Sequence, residues 1–151
     1  MEDNKLNLKS ILFICNINSI RSPMAEAILK LWFNKKIFID SCGIRKGKID
    51  HMAVEVMKEK GFDLSKHKTK ILSNLEDNYF DLIIAFTKEA YDEAFDLTKT
   101  QACEIELLNI PDASQTTGNR QQRLDSYRSV RELLIDKLQE RFKEILQIEG
   151  N

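Results

Sequence analysis

SILFICNINSIRSPMAEA, residues 10–27, decides the fold. Residues 10–15, SILFIC, form a short apolar run of the kind a buried strand needs. From Pro23 onward, Met24, Ala27, Ile28 and Leu31 recur at helical spacing and predict a helix over 23–34. A cysteine therefore closes a strand, and an arginine stands one short loop away where a helix begins. In an open α/β sheet, ligands bind outside the carboxyl ends of the strands, and Cys15 occupies such an end. The helix start offers free N–H groups and a partial positive charge, which together make an anion cradle. That field is expected to lower the Cys15 thiol below its ordinary pKa of about 8.5. Arg21 adds a planar fork that can hold two oxygens of a phosphate-like group. Ser22 suits the N-cap, and its hydroxyl can also donate to the thiolate. Pro23 suits the first helical position, where its missing N–H costs nothing.

Outward from this unit, strands and helices alternate. KIFID, 36–40, reads as a second strand, ending at Gly43. Ala53, Val54 and Met57 predict a helix closed by a cap at Gly61. DLIIAFT, 81–87, is a third strand, followed by a helix over 88–95. CEIELL, 103–108, is a fourth strand. The polar loop NIPDASQTTGN follows, then a long helix over about 120–147. Leu124, Tyr127, Val130, Leu134, Leu138, Phe142 and Ile145 share one face of that helix and point to the core. This alternation implies parallel strands with helices on both faces, in one domain over residues 1–151.

The bulk composition excludes several classes. The 151 residues carry a net charge of −1, so no strong field favours nucleic acid or an anionic membrane. No apolar run reaches the ~20 residues of a membrane span, and the N-terminus lacks a signal-like core, so a cytoplasmic location is expected. Three cysteines, at 15, 42 and 103, make neither a disulfide framework nor a C-x2-C zinc site. No metal and no cofactor are expected. Lys66, Lys68 and Lys70 read as solvated surface, and Cys103 as a buried strand residue.

The segment from Ile11 to Ala27, C-x5-R-S-P-M-A-E at its heart, resembles the phosphate-binding loop of the low-molecular-weight protein tyrosine phosphatases. IDSCGI, 39–44, is similar to the family's S-A-G-T. MAVEVMKEKGFDLSKHKTKIL resembles the helix, glycine and S-x-H stretch that follows. DLIIAFTKEAYDEAF matches a family strand and helix, and NIPDAS stands where the family has I-P-D-P-[YW]. The resemblance implies a three-layer sandwich with a four-stranded parallel sheet in the order 2-1-3-4. It implies that Cys15 attacks phosphorus and forms a phosphocysteine. The loop Asn16, Ile17, Asn18, Ser19, Ile20, Arg21 and Ser22 would then hold the equatorial oxygens. Asp112 would protonate the leaving oxygen and later activate water. Asn18 would brace the loop from a positive-φ backbone, and His67 would hydrogen-bond toward the loop serine.

The sequence departs from the family pattern in places. Ile17 replaces a glycine, and Ile20 replaces the cysteine that protects the nucleophile in many members, so Cys15 is expected to over-oxidise more easily. Ala113 and Ser114 replace the proline and aromatic that follow the acid, and loop 45–51 has no Trp or Tyr. The aromatic walls for a phosphotyrosine ring are thus absent. Three readings stay open. The first is a cysteine-dependent phosphomonoesterase acting on phosphotyrosine-like groups of a protein or small molecule. The second is an arsenate reductase using an external thiol, with Cys42 as one candidate resolving residue. The third is a non-catalytic phosphate-binding module. The oligomeric state is not encoded in any motif.

Overall fold

The computed structural model describes residues 8–75 and 79–149. Four strands, β1 (Ser10–Ile17), β2 (Phe38–Arg45), β3 (Leu82–Ala85) and β4 (Glu104–Leu107), pair in parallel in the order β2-β1-β3-β4. Four helices connect and follow them: α1 (Arg21–Phe33), α2 (His51–Lys58), α3 (Lys88–Thr98) and α4 (Arg120–Glu149). This is the α/β sandwich and strand order expected from the sequence.

The pleat divides β1 between two cores. Ile11, Phe13 and Cys15 face one side, packed with α1, α2 and α4. Leu12 and Ile14 face the other, packed with Ala90 and Ala94 of α3. β1 is buried on both faces, which is why it reads as an unbroken apolar run. The predicted apolar stripe of α4 is buried along its length, from Leu124 to Ile145. Among the described residues, no helix is long and apolar enough to cross a membrane.

Several element boundaries differ from those the sequence predicts. α1 begins at Arg21, not Pro23, because Ile20 already accepts the first turn's hydrogen bond, from the Met24 amide at 3.0 Å. Ser22 is therefore inside the helix and does not cap it. β2 runs on to Arg45 because β1 continues beside it, pairing Cys15 with Gly43 and Ile17 with Arg45. β3 is shorter than expected, since Thr87 leaves the strand to cap the next helix at the Ala90 amide, and α3 runs past 95 to Thr98. α2 closes as predicted. Gly61, at φ +85°, hands its amide to Lys58, and the Phe62 amide goes to Met57.

β1 pairs with β3 only as far as Ile14, opposite Ala85. From Cys15 onward, the chain is free of β3 and still held by β2. The point where the strand order reverses, between β1 and β3, is thus where the cysteine emerges.

Candidate active site

Cys15 has no solvent exposure. Its Sγ lies 2.9 Å from the Ser22 hydroxyl and 2.9 Å from the Ile17 carbonyl oxygen. A carbonyl only accepts, so the thiol carries its proton and donates it to Ile17. Burial pushes the Cys15 pKa up, and this outweighs the Ser22 hydroxyl and amide, the Arg21 charge and the Ile17 amide, which all pull it down. The expected lowering is not present in this conformation. The Ser22 hydroxyl and the Arg21 charge are in place to stabilise a thiolate, but desolvation wins while the sulfur faces a carbonyl.

Behind the loop, Asn18 is the hub of a buried network. Its Nδ2 donates to Ser22 Oγ at 2.9 Å and to Ser41 Oγ at 3.0 Å. Its Oδ1 accepts from the Lys70 amide at 3.1 Å and from His67 Nε2 at 2.8 Å. Because that oxygen can only accept, His67 carries its hydrogen on Nε2. His67 Nδ1 then faces Glu26 Oε1 at 3.8 Å, and Ser41 closes the ring by donating to the same oxygen at 2.5 Å. Burial lowers the His67 pKa more than the Glu26 carboxylate raises it, so the ring is neutral at pH 7. Asn18 makes the contacts that the expected bracing needs, but its backbone is not in the positive-φ region: only Asn34 and Lys35 are, among the described non-glycine residues. His67 reaches the loop serine through Asn18 and not directly.

Arg21 is buried and reaches the opposite wall. Its Nη1 donates to the Ile110 carbonyl at 3.0 Å, and its Nη2 stands 3.9 Å from Asp112 Oδ2. Asp112 begins a short turn, Ala113–Gln115, and accepts from the Ser114 amide at 3.0 Å and hydroxyl at 2.7 Å. Burial alone would raise the Asp112 carboxyl. Ser114, Arg21 and Gln115 together outweigh it and hold the group below the ordinary carboxylate range. Asn16 points the other way, accepting from the Thr87 hydroxyl at 2.6 Å. Ile17 is 40% exposed at the rim, while Ile20 is buried.

Two expectations about cysteines are corrected. Cys42 is opposite Ile14 in the register and shares its core, whereas Cys15 lies in the core on the other face. The alternation of the pleat turns the two thiols apart, and burial raises the Cys42 thiol far above its ordinary value. Cys103 is half-buried just before β4, not a core residue of that strand. Lys70 is also more than solvated surface: its amide braces Asn18, and its amine pairs with Asp40 at 3.1 Å.

Sequence reasoning missed Glu26, Ser41 and Asp50. Glu26 had a signal, since it is a charge on the same face as Ser22, four residues earlier, in a helix that had to be buried. Asp50 caps α2 through the Met52 and Ala53 amides, at 2.8 and 3.2 Å. Its own amide donates to the Ser19 carbonyl at 3.1 Å. An aspartate just before a helix is the usual cap signature, but its link to the loop is visible only in three dimensions.

The family model for low molecular weight phosphotyrosine protein phosphatase matches residues 10–147. The chain belongs to this family. Within its wider circle, a glutaredoxin arsenate reductase of Synechocystis sp. is 32% identical over 78 residues, 52% of this chain and 60% of that protein. The match thus spans about three fifths of that relative's length. Among solved structures, Vibrio vulnificus Wzb in complex with benzylphosphonate superposes with a TM-score of 0.76 at 21% identity, covering 91% of this chain and 99% of Wzb. An arsenate reductase in the phosphate binding state superposes at 0.73 with 24% identity, covering 91% and 99%. These two likenesses establish the phosphatase-family fold.

Proposed function

We propose that this phosphatase-family protein hydrolyses phosphomonoesters of the phosphotyrosine type, with Cys15 as nucleophile, Arg21 as oxyanion clamp and Asp112 as general acid. The observation that carries this reading is the meeting of four groups at the free end of β1. Cys15 Sγ lies against Ser22 Oγ, and Arg21, from the same loop, reaches across to the Ile110 carbonyl and to the Asp112 carboxyl, which the loop after β4 brings in from a distant part of the chain. The first turn of α1 adds to them, because Ile20 stands at its N-cap and no side chain caps it.

In the proposed reaction the Cys15 thiolate attacks phosphorus in line. An S–P bond forms as the bond to the leaving oxygen breaks. Asp112 gives that oxygen its proton. The Asp112 carboxylate then takes a proton from water, whose oxygen attacks phosphorus. The S–P bond breaks, and the thiolate and inorganic phosphate result. Arg21 and the loop amides hold the equatorial oxygens throughout. Arriving phosphate would draw Arg21 away from Asp112, which removes one of the influences holding that carboxyl ionised and so favours the acid form.

Hydrolysis of p-nitrophenyl phosphate tests the assignment. The wild type is expected to turn over. Cys15→Ser is expected to lose about 10³-fold or more, and Asp112→Asn about 10²-fold. An inert wild type, or variants equal to it, would refute the roles given.

The likeness to the Synechocystis arsenate reductase supports a second reading, in which arsenate takes the place of the phosphate ester. Cys42 is turned to the opposite face, so that reaction would draw its second thiol from outside the chain. Arsenate consumption that depends on an added thiol system, without phosphatase turnover, would favour it.

A further inference from the structure

We infer that the loop, as it stands, is closed to an oxyanion, and that binding requires the single peptide between Ile17 and Asn18 to turn over. This rests on the proposed reading of the loop as the oxyanion site.

The carbonyl and the amide of one peptide unit point in opposite directions. The Ile17 carbonyl points at Cys15 Sγ, so the Asn18 amide points away from the sulfur. Its nitrogen faces β2: a Cβ built on Gly43 would lie 2.6 Å from it. The negative end of a dipole therefore occupies the place where an anion and a thiolate need a positive one. The second half of the loop is set the other way. The Ser19 carbonyl is held by the Asp50 amide, which sends the Ile20 amide the opposite way, and the Ser22 amide already faces the sulfur. The loop is thus half prepared, and one peptide is reversed.

Reversing it changes ψ of Ile17 and φ of Asn18 by about half a turn each. That carries Asn18 into the left-handed region, which asparagine tolerates better than other side chains. The Asn18 side chain is clamped by Ser22, Ser41, His67 and Lys70, so it can serve as the fixed pivot. Two contacts are lost in the turn: the thiol bond to Ile17, and the bond from the Ser19 amide to the same carbonyl at 2.7 Å. An anion and an ionised sulfur replace them. Ile17 biases the balance toward the closed form, since a β-branched residue favours the extended backbone it holds opposite Arg45.

The test is the rate of Cys15 alkylation by iodoacetamide against pH, with and without inorganic phosphate, in the wild type and in Ile17→Gly. Cys15→Ser supplies the background from the other cysteines. In the free wild type the rate is expected to rise only at or above pH ~8.5, the ordinary thiol value. Ile17→Gly is expected to react at least about tenfold faster at pH 7 and to bind inorganic phosphate more tightly. A free wild type already reactive well below that pH, yet protected by phosphate, would overturn the turning peptide and leave the proposed function standing. Absence of both phosphate protection and p-nitrophenyl phosphate hydrolysis would overturn the two together. The wild-type profile decides the matter even if Ile17→Gly fails to fold.

Discussion

Asn18 uses every hydrogen-bonding position of its amide, and all its partners are buried or half-buried. Asn18→Ala would remove one bond from each of two serine hydroxyls and take the acceptor from the His67 Nε2–H and the Lys70 amide. Each unmade buried bond costs about 1–3 kcal/mol, partly recovered by relaxation and water. We expect a loss of about 2–4 kcal/mol, read as a lower urea midpoint with an unchanged slope. At this scale the sequence made the nearness of Cys15 to Arg21 and Ser22 legible, because strand, loop, arginine and helix can be assembled in only one order. The state of the sulfur was not legible. Thiol acidity here is set first by burial and then by which groups face the sulfur, and the orientation of the Ile17–Asn18 peptide turns on two torsions that a side chain biases but does not spell out. The positive φ expected of Asn18 failed for the same reason. It belongs to the turned loop, not the one described.

Asp50 shows how one element's cap becomes another element's support. Its carboxylate holds the first turn of α2, accepts the Tyr127 hydroxyl of α4 at 2.8 Å, and its amide steadies Ser19. Burial, then the Asp50 carboxylate, push the Tyr127 phenol far above its ordinary value, so it remains a donor at any working pH. Asp50→Ala is expected to cost about 1–2 kcal/mol, the usual value of a cap, and Asp50→Asn much less, because asparagine caps equally well. Tyr127→Phe is expected to cost about 1 kcal/mol. Thermal melts of the three variants check this ranking. A deficit in Asp50→Asn as large as in Asp50→Ala would mean that the carboxylate's charge, not its cap, is what matters. Elements of this kind were readable where periodicity was long, as in α4, and where a glycine closed a helix, as at Gly61. Their edges were not. α1 starts two residues early because the Ile20 carbonyl, not a polar side chain, opens it. β2 runs on because its partner does.

Across the whole molecule, α2 and α4 are clamped by charges far apart in sequence, a feature no local pattern reveals. Arg128 holds both oxygens of Glu59, and buried Arg131 donates to Glu59 at 2.8 Å and to the Val56 carbonyl at 2.8 Å. The parallel sheet and its two covered faces could be foreseen from alternating elements. Pairs such as these could not, since many arginines on α4 were equally available. The hydrogen bonds from Arg128, then those from Arg131, hold the Glu59 carboxyl down at about 2, against an ordinary 4.5. A carboxyl depressed in the folded state contributes stability above its unfolded pKa and loses it as pH falls toward the folded one. The Glu59 contribution is therefore complete at neutral pH, begins to fail near pH 4.5, and is gone near pH 2. Glu59→Gln removes the charge and leaves the shape. Its melting temperature is expected to lie below wild type by a constant margin from pH 7 down to about 5, and the two curves to converge between pH 4.5 and 2. A margin that persisted unchanged at pH 2 would show that packing of the side chain, not its charge, joins the two helices. A margin that vanished in high salt at pH 7 would show that solvent already screens the clamp.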